Sequence, residues 1–436
     1  MKEPPPRDIF TALTAMYYLS NLVGLAPFTW VTEESPSGRK HKKFIPSRYG
    51  RIHTMFMIMT VTTGTAVMMV WRIVYSYPLI RKVTVLVTDL ALLSITYALV
   101  VVSLVKCVRE HHHSLSRMLT SISRVNESLL YPCEEAWKNT EIFQAFQFIY
   151  FVIYEVFLYL FQDNVWAKEH GSKTRSHIPI SCVIHTVICV TEIQYLNLVL
   201  MLKRRFFLLN SRFDSFPLTH QTASRTHPWG MYFSKASAGR QIQERQLKTG
   251  APNEQDYAIH AAGNYSTREW QQQLHRQRCF SDILGDVVSS VNSRYGLQIL
   301  LSMTMNFMSV TTCLFFGITF AVNTQKDTSS EGKHLSALMF SLIWASVGIF
   351  RTCMITSTCN AVAVEAERTA VLLQKLLLEP SLHPDLVKEI QLFLQQVRIR
   401  PVRFTASNFF TVDHSTLCSF TGAVVTYLVI LLQFHT

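Results

Sequence analysis

Apolar residues run along the chain in long unbroken stretches, and polar residues gather between them. A bilayer hydrocarbon core about 30 Å thick is crossed by roughly 20 apolar residues in a helix. Seven stretches reach that length: 52–74, 84–106, 142–162, 177–202, 295–323, 335–357 and 414–434. The intervals from Arg51 to Arg72, Arg294 to Lys326 and Lys333 to Arg351 contain no charged residue between their ends. A soluble helix of that length needs a polar face, and these have none. The pattern predicts an all-α fold class: a polytopic membrane protein with seven transmembrane helices. An eighth apolar stretch, Ile9 to Trp30, is interrupted by Ser20, Asn21 and Gly24 and ends near Pro27. It reads as a helix at the interface or packed on the bundle, a true eighth span being the alternative.

Composition sharpens this picture. Hydrophobic residues make up 49% and charged residues 16%, against about 25% charged in a soluble chain. A net charge of +12 would point to nucleic acid in a soluble protein. Here Lys and Arg sit in loops, where they fix orientation, so no nucleic-acid partner is expected. They divide 33 to 8 between alternate sides of the membrane. The rich side includes Lys42-Lys43, Lys203-Arg204-Arg205 and Arg398, Arg400 and Arg403. The N-terminus is therefore expected in the cytoplasm and the C-terminus outside. None of the nine cysteines falls in a short outer loop, so no extracellular disulfide is expected. Met1 to Arg7 offers no cleavable signal peptide.

The resulting organisation is a cytoplasmic N-terminal segment with its interfacial helix (1–51) and four spans (52–202). A long cytoplasmic loop (203–294), two spans (295–357), cytoplasmic anchor helices (358–413) and a last span (414–436) follow. Within the long loop, about 213–272 is rich in Ser, Gln, Thr, His and Gly and is expected to be disordered. Its ends, Phe206-Phe207-Leu208-Leu209 and Ile283 to Val288, look helical and extend spans four and five. In the anchor, one helix stops at Pro380 and another starts at Pro384-Asp385. Leu386, Ile390, Phe393, Leu394 and Val397 recur on one face of the second helix. That stripe must be buried against the extended spans or against other subunits.

Four polar or aromatic residues fall inside spans at a similar distance from the outer surface: Asp89, Glu155, His185 and Trp344. Ionisable groups within a membrane face the bundle interior or a watery cavity. Two carboxylates, an imidazole and an indole suit a small polyhydroxylated ligand, because carboxylates accept from hydroxyls and an indole covers a sugar's C–H face. The structural alternative is that Asp89 or Glu155 pairs with His185 to hold the bundle. Glu192, nearer mid-membrane, reads as structural. His111-His112-His113 point in different directions on a helix, and no metal site is expected. Catalytic motifs are missing and no cofactor is implied, so an enzyme is not expected.

The chain ends on Thr426-Tyr427-Leu428-Val429-Ile430-Leu431-Leu432-Gln433-Phe434, two residues before the terminus. This resembles the C-terminal signature of the insect gustatory receptor family. Phe404-Thr405-Ala406, Phe409-Phe410, Val412-Asp413 and Gly422-Ala423 are similar to that family's final segment, and Gly24 to Phe28 and Tyr295 to Gln298 to its weaker landmarks. The resemblance implies seven spans, a cytoplasmic N-terminus and a tetrameric ligand-gated cation channel with the last span lining the pore. It places the protein in the plasma membrane of sensory neurons, as a homotetramer or with related receptor subunits, opened by a small-molecule tastant. Sugar is favoured and bitter compounds are the alternative. In that role Ala423, Tyr427, Ile430 and Phe434 form a pore-lining stripe, with Gln433 and Phe434 as gate. A G-protein-coupled receptor would need an extracellular N-terminus and the D-R-Y and N-P-x-x-Y motifs, which are missing. A transporter would be expected to show an internal repeat or paired broken helices, and neither is visible.

Both N-x-S/T sequons, at Asn126 and Asn264, lie in loops assigned to the cytoplasm. Protein from eukaryotic cells should show no mobility shift on glycosidase treatment; glycan on either asparagine would reverse the topology.

Overall fold

The computed structural model describes residues 14–34, 40–76, 83–109, 117–122, 125, 146–147, 149–154, 156–157, 159–160, 178–214, 267–324, 331–379 and 382–433. It is almost entirely helical. Six helices among the described residues are long and apolar enough to cross a membrane. The described residues of the remaining expected span, between 146 and 160, are also helical, while the ends of 142–162 lie outside the described residues. Contacts divide the chain into two units, the first comprising Met1–Met201, Val287–Ala361 and Arg403–Thr436, the second Leu202–Asp286 and Val362–Val402.

The first unit opens with α1 (Thr14–Leu22) and a hairpin of β1 (Phe28–Glu34) and β2 (Lys40–Pro46), paired antiparallel from Phe28↔Pro46 to Glu34↔Lys40. The hairpin lies where only a cytoplasmic segment was expected. Phe28 to Val31 is too short an apolar run to signal a strand when its partner is as polar as Lys40-His41-Lys42-Lys43. Far from lying loose at an interface, α1 and its following turn are packed on the bundle. Tyr17, Val23, Leu25, Ala26 and Phe28 are buried. The residues that interrupt the apolar run are the ones that tie it down. Gln194 Nε2 donates to Ser20 Oγ at 2.6 Å, and Thr54 Oγ1 to the Gly24 carbonyl at 2.7 Å. Gly24 has φ +79°, and a β-carbon there would stand 3.3 Å from Thr54 Cα, so the turn requires glycine.

Helix α2 (Arg48–Trp71) starts on Ser47, whose hydroxyl caps the Gly50 N–H at 3.1 Å, and ends in a π-type turn at Arg72–Ser76. Helix α3 (Val83–Arg109) follows, and α4 (Ile178–Asp214), α5 (Thr267–Thr324) and α6 (Glu331–Leu377) are far longer than a bilayer needs. The core of this unit joins Val61, Met68, Leu99, Leu104, Val187, Ile188 and Met305 from α2 to α5.

In the second unit, Asn210 Nδ2 donates to the Glu365 carbonyl at 2.7 Å and Thr369 Oγ1 to Asn210 Oδ1 at 2.7 Å, joining α4 to α6. Helix α7 (Pro384–Ile399) begins on His383 as N-cap with Pro384 in its first turn. Leu386, Ile390 and Phe393 are buried, with the Phe393 ring 6.0 Å from that of Phe213. The expected stripe is thus covered from within its own chain. Arg400 donates to Asp282 at 2.6 Å and Asp286 at 2.7 Å. Those two carboxylates raise its already high pKa. The disorder expected over 213–272 gives way at Thr267, where α5 begins with Glu269 in its first turn; the remainder of that stretch, 215–266, lies outside the described residues.

A second hairpin, β3 (Thr405–Ala406) against β4 (Phe410–Thr411), leads into the last helix, α8 (His414–Gln433). It turns through Ser407 and Asn408, at φ 52° and 63°. Asn292 of α5 holds it from both sides, donating to the Arg403 carbonyl at 2.8 Å and accepting from Thr405 N at 3.2 Å. Gly296 lets the hairpin lie directly on α5, since a β-carbon there would be 2.9 Å from Ser407 N. Asp413 then caps α8 by accepting from Ser415 N at 2.9 Å and Thr416 N at 3.2 Å.

Hydrogen bonds from the Ser415 hydroxyl first, then from Thr411 and the α8 amides, hold the Asp413 carboxyl at about 2 against its partial burial. Its folded pKa lies below the unfolded value, so its stabilisation is present above about pH 4 and is lost as pH falls to about 2. Asp413→Ala should cost about 1 kcal/mol of stability and lower the thermal midpoint of the detergent-solubilised protein at pH 7. That difference from wild type should vanish on acidification; a difference constant down to pH 2 would show that the cap is not the cause.

Candidate functional site

A cavity enclosing about 730 Å³, its mouth included, lies among α2 to α6 and the 146–160 segment of the first unit. Three of the four residues expected at a ligand site, Asp89, His185 and Trp344, line it. Glu155 lies outside the described residues. His185 and Trp344 meet with rings 5.7 Å apart and nearly perpendicular, and Tyr154 stacks on Trp344 at 5.9 Å. Tyr154 Oη is 3.2 Å from His185 Nδ1, so imidazole and phenol orient one another. The result is an aromatic corner with polar edges.

Asp89 is not paired with His185. Arg72, at the π-type turn ending α2, grips both its carboxylate oxygens. With side chains 24% and 33% exposed, this pair is only partly buried at the edge of the cavity. Deeper in, Asn306 of α5 is buried and lines the cavity, and its Nδ2 has no partner among the described residues. A buried amide donor without a partner costs about 1–3 kcal/mol, which a hydroxyl-bearing ligand would recover. Gly348 of α6 allows α5 to approach the cavity wall, a β-carbon there standing 2.7 Å from Val310 Cγ2.

Below the aromatic corner a buried ion pair crosses the unit. Arg351 Nε donates to Glu192 Oε2 at 2.8 Å and Nη2 lies 2.8 Å from Oε1, while Ser302 Oγ also donates to Oε1. Both charged side chains are at least nine-tenths buried. The pair joins α4, α5 and α6, and Arg351 also lines the cavity. Sequence reasoning gives Glu192 a structural place but misses Arg351 and Arg72, because each stands where a span-end charge would. It also passes over Tyr154, one aromatic among many in the spans.

Helix α8 presents a different surface. Val424 is its one buried residue, although Phe307 of α5 touches Phe420 at 5.9 Å and Tyr427 at 5.6 Å between ring centres. Opposite Val424, Ser415, Ser419, Gly422, Thr426 and Gln433 are all exposed and lie along one line at helical spacing. Ala423, Tyr427 and Ile430 run along one flank, between the covered and the open face. Phe434 lies outside the described residues. Among the described residues no group of His, Cys, Asp and Glu could hold a metal.

A family model described as 7tm chemosensory receptor matches residues 13–436. Gustatory receptor 68a of Drosophila melanogaster is 30% identical over 148 residues, covering 34% of this chain and 37% of that protein. Gustatory and pheromone receptor 39a, isoform C, of the same organism is 32% identical over 141 residues, covering 32% of this chain and 34% of that protein. The alignments thus span about a third of each relative's length. The fold is similar to that of the insect olfactory receptor OR5 from Machilis hrabei, with a TM-score of 0.61, 12% identity and 97% of both chains covered. The same receptor in complex with eugenol gives a TM-score of 0.63.

Glu192→Leu would leave Arg351 buried without its carboxylate, at a cost of about 3–5 kcal/mol, whereas replacing both partners restores an apolar contact. The single variant should therefore lose most of its monodisperse peak in size-exclusion chromatography, and Glu192→Leu with Arg351→Met should regain it. A single variant that elutes like wild type would mean that the pair does not hold these helices together.

Proposed function

The chain belongs to the 7tm chemosensory receptor family, and on that footing we propose that it is a gustatory receptor working as a ligand-gated, non-selective cation channel. The observation that carries this reading is α8. A membrane helix with a line of Ser, Gly, Thr and Gln on its open face is poorly matched to lipid, and copies of the chain gathered about an axis would turn that line toward water. A homotetramer, or a tetramer with related subunits, then surrounds a path for cations in the plasma membrane of sensory neurons.

The gate lies at the outer end of that path. Phe434 follows Gln433 directly, so the two point about 100° apart around the helix. In the closed state the stripe of Ala423, Tyr427, Ile430 and Phe434 faces the axis, and a ring of phenyl groups empties the constriction of water. Turning α8 brings Gln433 and the line through Thr426 and Ser419 to the axis, and water returns. A ligand opens the gate only by binding the open arrangement more tightly than the closed one.

The ligand is a small polar tastant, with a sugar favoured. Trp344 covers a ring's C–H face, while Asp89, Glu155, His185 and the Asn306 amide take hydroxyls. Bitter compounds are the second reading, favoured by the apolar wall of Met68, Leu92, Leu93, Met305 and Val347. No chemistry is done on either ligand.

Excised membrane patches held without nucleotide should carry sugar-evoked current. Trp344→Ala should raise the half-maximal sugar concentration about tenfold, a loss of about 1.4 kcal/mol, with little change in maximal current. Phe434→Ala should raise the ligand-free current several-fold. Silent patches across sugars and alkaloids, with receptor present at the surface, would refute the channel reading.

A further inference from the structure

The first unit contains a second cavity, of about 540 Å³ with its mouth, bounded by the 146–160 segment, α4 and α6. Phe146, Tyr150, Phe350 and Met354 line it, and Gln147, Glu192 and Arg351 supply polar atoms. Gln147 is 6% exposed. Its Oε1 accepts from Asn197 Nδ2 at 2.9 Å, but its buried Nε2 has no partner among the described residues. The Tyr150 hydroxyl is likewise buried and without a partner among the described residues. Two donors thus line one small apolar space with nothing to receive their protons, a state native interiors rarely keep.

The charged groups beside them neutralise one another as an ion pair, Arg351 Nε donating to Glu192 Oε2 at 2.8 Å, although Arg351 Nη2 makes no aligned hydrogen bond among the described residues. What the cavity lacks is a neutral acceptor, and its wall is aromatic, with the Tyr150 and Phe350 rings 5.2 Å apart. Phe146 and Phe350 of its wall are exposed, as are Ile149, Ile153 and Val156 along the 146–160 segment, so the cavity lies beside an apolar outer surface of the kind lipid covers. We infer that this cavity binds an uncharged aromatic compound carrying a hydrogen-bond acceptor such as a ketone, ester or ether oxygen, which arrives through the lipid. The acceptor oxygen takes hydrogen bonds from Gln147 Nε2 and Tyr150 Oη while the ring lies among Phe146, Phe350 and Met354.

Arg351 lines both cavities. An occupant of the second therefore bears on the residue that floors the first, and by linkage it changes tastant affinity while the tastant changes its own. This regulatory half rests on the channel reading above; the binding half does not.

Benzophenone, an aromatic ketone that cross-links under ultraviolet light, tests both. Receptor in phospholipid nanodiscs should show saturable labelling concentrated within 146–151 and 350–355 on peptide mapping. Tyr150→Phe, which removes only a hydroxyl without a partner, should weaken half-saturation several-fold, and Tyr150→Phe with Gln147→Leu about tenfold, both eluting like wild type. Labelling unmoved by these variants, or spread evenly along lipid-facing positions such as Ile153, would overturn the site whatever the channel does. Labelling as expected, with benzophenone leaving the half-maximal sugar concentration unchanged, would overturn the regulatory half alone.

Discussion

Glu192 and Arg351 hold one another in a place where neither could remain alone. Removing such charges from water costs several kcal/mol each, and only close, two-pronged geometry repays it. Here both carboxylate oxygens are engaged by the guanidinium, and Ser302 adds a third donor. Because lipid is as apolar as leucine, helices in a membrane gain little from hydrophobic contact with one another, and polar contacts and small residues decide how they pack. The pair fixes α4 against α6 with α5 beside them, and so fixes the spacing between two cavities that share Arg351 as a wall.

Other contacts in the first unit follow the same logic. Gly64 lies so near Ile180 that a β-carbon would overlap its side chain, and Gly348 stands likewise against Val310. Ser20 and Gln194 join α1 to α4, and Lys106 reaches the carbonyls of Ser293 and Arg294 at 3.0 and 2.8 Å to join α3 to α5. Each is a polar or small residue in an otherwise oily surrounding, and each marks a crossing between segments distant in sequence.

Much of this architecture is legible in the order of the amino acids. The bilayer's thickness sets a length scale, so the spans announce themselves, and equal depth on separate spans is enough to group Asp89, His185 and Trp344, which the fold brings to one cavity. The limits have physical causes too. A charge near the end of a span reads as a topology signal, which hides the partnerships of Arg72 and Arg351. Periodicity carries no information about a two-residue strand, so the hairpin at Thr405–Thr411 shows in the sequence only as the landmarks Gly296 and Phe404 to Val412. The reason for those landmarks is contact: Gly296 leaves room for Ser407.

That contact has a consequence for how the molecule tolerates change. From Asn292's grip on Arg403 and Thr405 to the Asp413 cap, anchors recur along the segment leading into α8. One amino acid gained or lost between these anchors would swing each side chain of the helix through about 100°; a loss would bring Phe420, Ala423 and Tyr427 to the places now held by Ser419, Gly422 and Thr426 on the open face. In this stretch spelling is negotiable and length is not; it serves as a molecular protractor.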